Sequence, residues 1–205
     1  MIPFQILNHL PKIPDDLLSL ALDRLDFEDF DRALKNNYVR PEYRGLIKYI
    51  KNGQEHVAKR ILKAPVIPEL ENWISENITW NYLKAEWGKT MEDNTSWGDC
   101  HPPHTDRNRN YTLVYNVWPG GDNHYTAYYL PKDRSTKIDY CMCFDNYDEL
   151  DEIARFQIPL HTWTLLNAQM IHSIEGVPDT RLSLQVGLSD NPWDPLVVQN
   201  QKVAA

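Results

Sequence analysis

The residues most suited to chemistry are a histidine and an aspartate two positions apart, followed far along the chain by a second histidine. His104 and Asp106 stand in the segment HPPHTDRNRNYTLVYNV, and His172 begins an apolar-rich run. In an extended chain, residues two apart project to the same side. Two imidazoles and one carboxylate bind three positions of an octahedral metal and leave three open, a donor set that suits Fe(II) with a co-substrate and O2.

A polar row in the last predicted strand adds a candidate site for an anion. Arg181, Ser183 and Gln185 fall on one face of this strand, and leucine and valine residues fall on the other. One face of a small closed barrel points inward, and a buried guanidinium without an anion is costly. Because arginine can bind a carboxylate through two parallel hydrogen bonds, we expect a dicarboxylate ligand here.

The first 85 residues, which must help to position these groups, are predicted to be mainly helical. A helix is expected to begin at Pro14-Asp15-Asp16, because acidic residues are favourable in the first turn. A second helix is predicted over residues 54–63, after a break at Asn52-Gly53, and a third over residues 68–77.

Beyond Trp80, short β-rich runs alternate with turn residues. Strands are predicted over residues 81–87, 111–117, 125–130, 138–144, 162–167, 172–177 and 181–188. Short strands at this spacing favour a sandwich or jelly roll, whose outer face needs a covering layer. We therefore expect a single domain over residues 1–205, mainly β with N-terminal helices: a helical cover (1–85), a jelly-roll catalytic core (86–190) and a C-terminal tail (191–205).

Composition excludes several classes of protein. The 205 residues include 21 Lys+Arg and 29 Asp+Glu, for a formal net charge of -8. An acidic surface argues against a protein that coats nucleic acid or anionic membrane, and no apolar run reaches the ~18–20 residues of a membrane span. The first residues lack a basic segment before an apolar run, so no signal peptide is expected. Three cysteines then indicate reduced thiols and a cytoplasmic location.

The combination of these motifs resembles the Fe(II)/2-oxoglutarate-dependent dioxygenases. Their pattern is HxD, a distal histidine, and an arginine, often in RxS, about ten residues further on; here these are HTD at 104–106, His172 and Arg181-Leu182-Ser183. The stretch 106–129, with Gly120-Gly121 in its middle, is similar to the prolyl-hydroxylase-like branch. The resemblance covers roughly residues 95–190. It implies a double-stranded β-helix, a cupin-like jelly-roll barrel packed against a helical layer.

The resemblance also implies the metal ligands. By this likeness His104, Asp106 and His172 are the catalytic residues that bind Fe(II). His101 and His161 are rivals in the sequence, but His101 has Pro103 rather than a carboxylate two residues on, and His161 precedes its strand.

The co-substrate contacts follow in the same way. The iron would bind 2-oxoglutarate through its 1-carboxylate and 2-keto oxygen, with O2 in the remaining position. Arg181 and Ser183 would bind the far carboxylate of 2-oxoglutarate. Tyr115 or Asn116, from the strand after HxD, would also contact the co-substrate.

The implied activity is hydroxylation of a small molecule, amino acid or peptidyl residue, with release of succinate and CO2. Arg107 and Arg109 follow the metal motif and could bind an anionic substrate group, and Trp97 and Trp118 could line the mouth of the site.

One alternative function is that of a cupin-like metal-binding or isomerase protein without 2-oxoglutarate, which would not need an arginine to bind a dicarboxylate. Another is a nucleobase demethylase. The pattern of those enzymes has a second arginine after the one that corresponds to Arg181, and Gly187 stands at that position here.

Overall fold

The fold is built mainly from short antiparallel strands. The computed structural model describes residues 2–25, 48–58, 61–90, 101–139 and 142–193. Its α-helices are α1 (Asp15–Asp23) and α2 (Pro68–Asn77). The strands are β1 (Phe4–Ile6), β2 (Lys48–Lys51), β3 (Gln54–Val57), β4 (Ile61–Pro65), β5 (Lys84–Thr90), β6 (His101–His104), β7 (Tyr111–Pro119), β8 (Tyr125–Pro131), β9 (Leu150–Phe156), β10 (Trp163–Asn167), β11 (Ile171–Glu175) and β12 (Arg181–Leu188).

Two sheets form the barrel. The larger has the strand order β1-β10-β7-β12-β5-β4, and the smaller has the order β6-β11-β8-β9. From β5 onward the chain alternates between the sheets, except at β8 and β9, which are neighbours in the smaller sheet. This alternation of antiparallel strands is a double-stranded β-helix, and it confirms the predicted jelly-roll fold class.

The two helices cover the outer face of the larger sheet. Leu18 of α1 and Leu70 and Ile74 of α2 pack in one apolar cluster with Trp87 and Leu184 of the sheet. Pro68 occupies the first turn of α2, where its missing N–H costs nothing, and Glu69 and Glu71 suit the positive end of the helix dipole. The predicted start of α1 and both ends of α2 are confirmed. Neither described helix is long and apolar enough to cross a membrane.

The helix predicted over residues 54–63 is wrong. The chain instead forms β3 and β4 there, and β2 and β3 pair as a hairpin. Asn52 and Gly53, at the tip, both have positive φ, at 55° and 70°. Asn-Gly is the preferred pair for such a two-residue turn, because its backbone matches the twist of the flanking strands. The described part of the first 85 residues is therefore mixed helix and strand rather than mainly helical.

The sequence does not predict either edge strand of the smaller sheet. These are β6, which contains Pro102 and Pro103, and β9, which is rich in charge. Prolines are tolerated at a sheet edge, where no neighbouring strand needs their N–H. The strand predicted over 138–144 is not formed by its described residues, apart from a single bridge between Cys143 and His104. Residues 140–141 and most of the predicted tail lie outside the described residues.

A buried polar network ties the β2–β3 hairpin to the smaller sheet. Lys51 of the hairpin lies 2.7 Å from Glu175 Oε2 at the end of β11. Tyr129 and Ser173 also donate hydrogen bonds to Glu175. A buried carboxylate needs such partners, since desolvation otherwise penalises its charge. The network fixes the hairpin on the outer face of the sheet that carries His172.

Candidate metal centre

Three buried side chains meet between the sheets. His104 of β6 pairs directly with His172 of β11, and Asp106 follows β6 by two residues. The two imidazole rings are 4.4 Å apart, and one potential ligand atom from each of the three residues lies within 4.8 Å of the other two. The register of adjacent strands therefore brings together the three residues predicted as ligands, although only Asp106 and His104 are close in sequence.

Both histidines are oriented by their own backbone. The Nδ1 atom of His104 lies 3.0 Å from the carbonyl oxygen of Pro102, and the Nδ1 of His172 lies 2.9 Å from that of Met170. An Nδ1–H that donates to a carbonyl leaves the Nε2 lone pair for a metal. Burial, followed by the neighbouring His104, lowers the pKa of His172 to about 4, so the ring is neutral at physiological pH.

Asp106 is held as a carboxylate by Arg109. Burial alone would raise its pKa, but the Arg109 guanidinium and the two imidazoles hold the pKa of Asp106 well below its usual range. Arg109 Nε lies 2.7 Å from Asp106 Oδ2, and Thr112 donates to the same oxygen at 3.3 Å. Asn108, between the pair, has a φ of 64° and turns the chain so that Arg109 folds back.

The donor set fits a divalent transition metal. Two neutral imidazoles and one carboxylate are the ligands of non-heme Fe(II) sites that keep open positions. Cys143, the one cysteine among the described residues, is exposed and is not part of the cluster. His161, the rival in the sequence, packs edge-on against Tyr115 instead. The side chain of His101 lies outside the described residues.

A narrow cavity of about 50 Å³ opens from the three candidate ligands into the barrel. Arg181, which is 3% exposed, and Gln185 line it from β12, so the predicted polar row does face inward. Ser183, between them, is fully buried and accepts a hydrogen bond from Gln185 at 3.4 Å. Lys63 of β4 also lines this cavity and donates to Gln185 Oε1 at 2.6 Å.

The two predicted co-substrate contacts on β7 lie on opposite faces of the strand. Asn116 is fully buried, and its Nδ2 lies 3.4 Å from the carbonyl oxygen of Ile158. Tyr115 packs against Trp163, with ring centroids 4.8 Å apart, in the apolar cluster beneath the helices. Because side chains alternate along a strand, Tyr115 points away from the cavity that Val114 lines, and its prediction as a co-substrate contact is wrong.

The predicted substrate contacts are dispersed. Trp118 is 44% exposed near the end of β7, and Trp97 lies outside the described residues. Arg107 and Arg109 line a second, larger cavity of about 380 Å³. Lys63 also lines this cavity. Its position follows from β4, whereas the sequence predicts a helix over residues 54–63.

Glu86 of β5 lies in the wall of the second cavity between two lysines. Its carboxylate is 3.2 Å from Lys63 Nζ and 2.6 Å from Lys84 Nζ. Burial alone would raise its pKa, but these two lysines, with Arg109, lower the pKa of Glu86 to about 2. Stabilisation by a depressed carboxyl pKa is complete above the unfolded value of 4.5 and is lost as the pH falls through the folded value.

Glu86→Gln is therefore expected to lower the free energy of unfolding by about 3 kcal/mol at pH 7. The difference between the variant and the wild type should shrink as the pH falls from 4.5 towards 2. Urea unfolding at a series of pH values measures it. The matched control is Glu55→Gln, which removes an exposed ion pair with Lys48 and should cost less than about 1 kcal/mol. A difference for Glu86→Gln that stays constant from pH 7 to pH 3 would contradict this assignment.

Comparison with known proteins gives matches in structure alone. No protein-family model matches the chain, and no curated protein does. The epimerase SnoN, in complex with Fe3+, alpha ketoglutarate and nogalamycin RO, is 10% identical; the match covers 90% of this chain and 77% of SnoN at a TM-score of 0.45. A Pseudomonas putida prolyl-4-hydroxylase is 12% identical over 92% of this chain and 94% of its own, at a TM-score of 0.43.

E. coli ycfD is 10% identical at a TM-score of 0.41, and the match covers 99% of this chain and 58% of ycfD. The chain is thus similar in structure to these enzymes. Its own geometry identifies it as a double-stranded β-helix protein with a buried His–Asp–His candidate metal centre.

Proposed function

We propose that this protein is an Fe(II)- and 2-oxoglutarate-dependent oxygenase. In this proposal it hydroxylates a small molecule, amino acid or peptidyl residue and releases succinate and CO2. The observation that carries the proposal is the placement of Arg181 in the lining of the same cavity as His104, Asp106 and His172. A cupin-like metal protein without 2-oxoglutarate would have no use for a buried guanidinium beside its metal. A nucleobase demethylase would be expected to carry a second arginine where Gly187 stands.

The protein's own residues would bind the metal, orient the co-substrate and keep water out of the site. When bound, Fe(II) supplies the activation of O2 and the oxidative decarboxylation of the co-substrate. The Nε2 atoms of His104 and His172 and a carboxylate oxygen of Asp106 would hold the ion, and Arg109 fixes the carboxylate. Arg181 would bind the far carboxylate of 2-oxoglutarate through paired hydrogen bonds.

Water must be kept from the open side of the metal. Val114, Leu166 and Ile174 contribute apolar walls to the cavity. Such walls strengthen the electrostatic interactions within the site and limit unproductive turnover. We also propose a reducing compartment such as the cytoplasm, supported by the small, odd number of cysteines, and no membrane or nucleic-acid partner.

The test is anaerobic addition of Fe(II) and 2-oxoglutarate. The wild type should develop the weak visible charge-transfer band of a chelated 2-keto acid, and succinate in place of 2-oxoglutarate should give none. After O2 is admitted, succinate should accumulate, and mass spectrometry of a stimulating substrate should show the gain of one oxygen atom. Absence of the band contradicts the assignment of iron and 2-oxoglutarate. Release of succinate without a gain of oxygen by the substrate contradicts only the proposed hydroxylation.

A further inference from the structure

We propose that the substrate carries an anionic oxygen group, a carboxylate or a phosphate, which binds in the second cavity beside the metal centre. This inference rests on the proposed function and specifies its substrate class. We call this cavity the basic cavity, because Lys63, Lys84, Arg107 and Arg109 line it.

The basic cavity adjoins the metal centre through two shared side chains. Lys63 and Arg109 line both the basic cavity and the narrow cavity that contains the candidate ligands. Arg109 spans the distance, because its Nε contacts Asp106 Oδ2 at 2.7 Å while its side chain forms part of the outer wall. A group bound in the basic cavity therefore lies one side chain away from a metal ligand.

The lining of the narrow cavity and the size of the basic cavity assign their contents. The narrow cavity is lined by the candidate metal ligands and by Arg181, so the proposed function gives it to the co-substrate. The basic cavity measures about 380 Å³ and lies in the size range of small-molecule sites. The body of a substrate that reacts at the metal would therefore extend into the basic cavity.

The charge of the basic cavity selects an anion. Its described lining contains four cationic side chains and one carboxylate, Glu86, within a chain of net charge -8. After Glu86 and the neighbouring Asp106 are counted, two positive charges remain. The two carboxylates pair with the largely buried Lys63 and Arg109, whose side chains are 11% and 13% exposed. The excess therefore lies on Lys84, which shares Glu86 with Lys63, and on Arg107, both exposed at the open side of the cavity. A bound carboxylate or phosphate would pair with these two cations directly.

Gly187 keeps the wall of the basic cavity open. This residue lies within β12, where a Cβ would come 3.3 Å from Cδ of Arg109. Glycine inside a strand weakens it, and it is typical of a place where a ligand or another chain segment approaches closely. Arg107, exposed at the rim, adds a charge that can steer an incoming anion.

The experiment measures binding of small probes near the metal. Protein loaded with Mn(II) and saturated with 2-oxoglutarate is titrated with N-acetylglycine, methyl phosphate or the neutral N-acetylglycinamide, and proton relaxation of each probe is recorded. Because 2-oxoglutarate occupies Arg181, enhanced relaxation reports a second anion site close to the metal. We expect binding of one or both anions and at least about tenfold weaker binding of the amide. The carboxylate and phosphate arms distinguish the two sources of the anionic group.

Charge-reversal variants locate the site. Lys84→Glu with Arg107→Glu should weaken binding of the anionic probe at least about tenfold. The matched control, Lys12→Glu with Lys137→Glu, changes the net charge equally at exposed residues outside the cavity lining and should bind the probe like the wild type. Arg107→Gln, which removes the charge and keeps a polar side chain, serves as a second variant if the reversed pair fails to fold.

Three outcomes would overturn the inference: equal binding of acid and amide, retained binding in both cavity variants, or no binding of either anion to the wild type. Failure of the proposed function is separate, because it appears as loss of 2-oxoglutarate binding to the metal-loaded protein. In that case the probe titrations, run without 2-oxoglutarate on the same variants, still decide whether the basic cavity holds an anion.

Discussion

Replacement of Asp106 with alanine is expected to abolish metal binding, and with it the release of succinate from 2-oxoglutarate. The change removes the one carboxylate of the candidate centre and leaves two imidazoles. It also deprives Arg109 of its 2.7 Å contact, so a largely buried guanidinium loses its carboxylate. Loss of a residue that hydrogen-bonds to a metal ligand typically lowers metal affinity about 10–100-fold. Loss of the ligand itself should therefore lower the affinity at least about a hundredfold.

Anaerobic calorimetry with Fe(II), or with Mn(II) as a substitute, measures the affinity directly. His104→Ala and His172→Ala should give the same loss without disturbing Arg109, which separates metal binding from the stability of the Asp106–Arg109 pair. The matched control is His161→Ala, because this histidine lies against Tyr115. Wild-type metal affinity in Asp106→Ala, or a loss in His161→Ala equal to that in His172→Ala, would show that the assignment is wrong.

Replacement of Arg181 with alanine should weaken 2-oxoglutarate binding about a hundredfold while the affinity for the metal stays unchanged. Hydrogen bonds to a charged group each stabilise a complex by about 1.5–3 kcal/mol, and the buried carboxylate of the co-substrate would lose its partner. Because the guanidinium binds the far end of the co-substrate rather than the metal, the KM for 2-oxoglutarate should rise much more than kcat falls.

Arg181→Lys is the informative companion to this variant. It keeps the charge and loses the planar pair of donors, so it should recover only part of the affinity. Lys63→Met tests the other cation of the same cavity, 2.6 Å from Gln185, and should affect 2-oxoglutarate binding less than Arg181→Ala. If Lys63→Met has the larger effect, the far carboxylate binds to β4 rather than to β12.

The inward placement of part of the candidate site could be predicted, because it depends on strand periodicity. The spacing of His104 and Asp106 placed them on one side of an extended chain, and the alternation around Arg181 placed the guanidinium inside the barrel. Because two-residue periodicity is a local property, it can be predicted without knowing how the strands pair. By contrast, the choice between Tyr115 and Asn116 required the pairing of β7 with β12, and only Asn116 has the inward face.

Other features depended on contacts that no local pattern reveals. Asn52-Gly53 fits both the break before a helix and the tip of a hairpin, and the chain forms the hairpin. The helix predicted after this dipeptide gives no indication that Lys63 lies in β4. The contact of Arg109 with Asp106 depends on the left-handed backbone of Asn108. The tie between Lys51 and Glu175 joins residues 124 positions apart, beyond the reach of any sequence window.

The two prolines of β6 have a consequence for solubility. This strand carries His104 at the edge of the smaller sheet, where free N–H groups would form a template for a strand of another molecule. Pro102 and Pro103 have no N–H to offer, and the carbonyl oxygen of Pro103 already accepts a hydrogen bond from Phe144 at 2.7 Å. A candidate metal ligand can thus lie on an edge strand that does not expose N–H groups for pairing with a strand of another molecule.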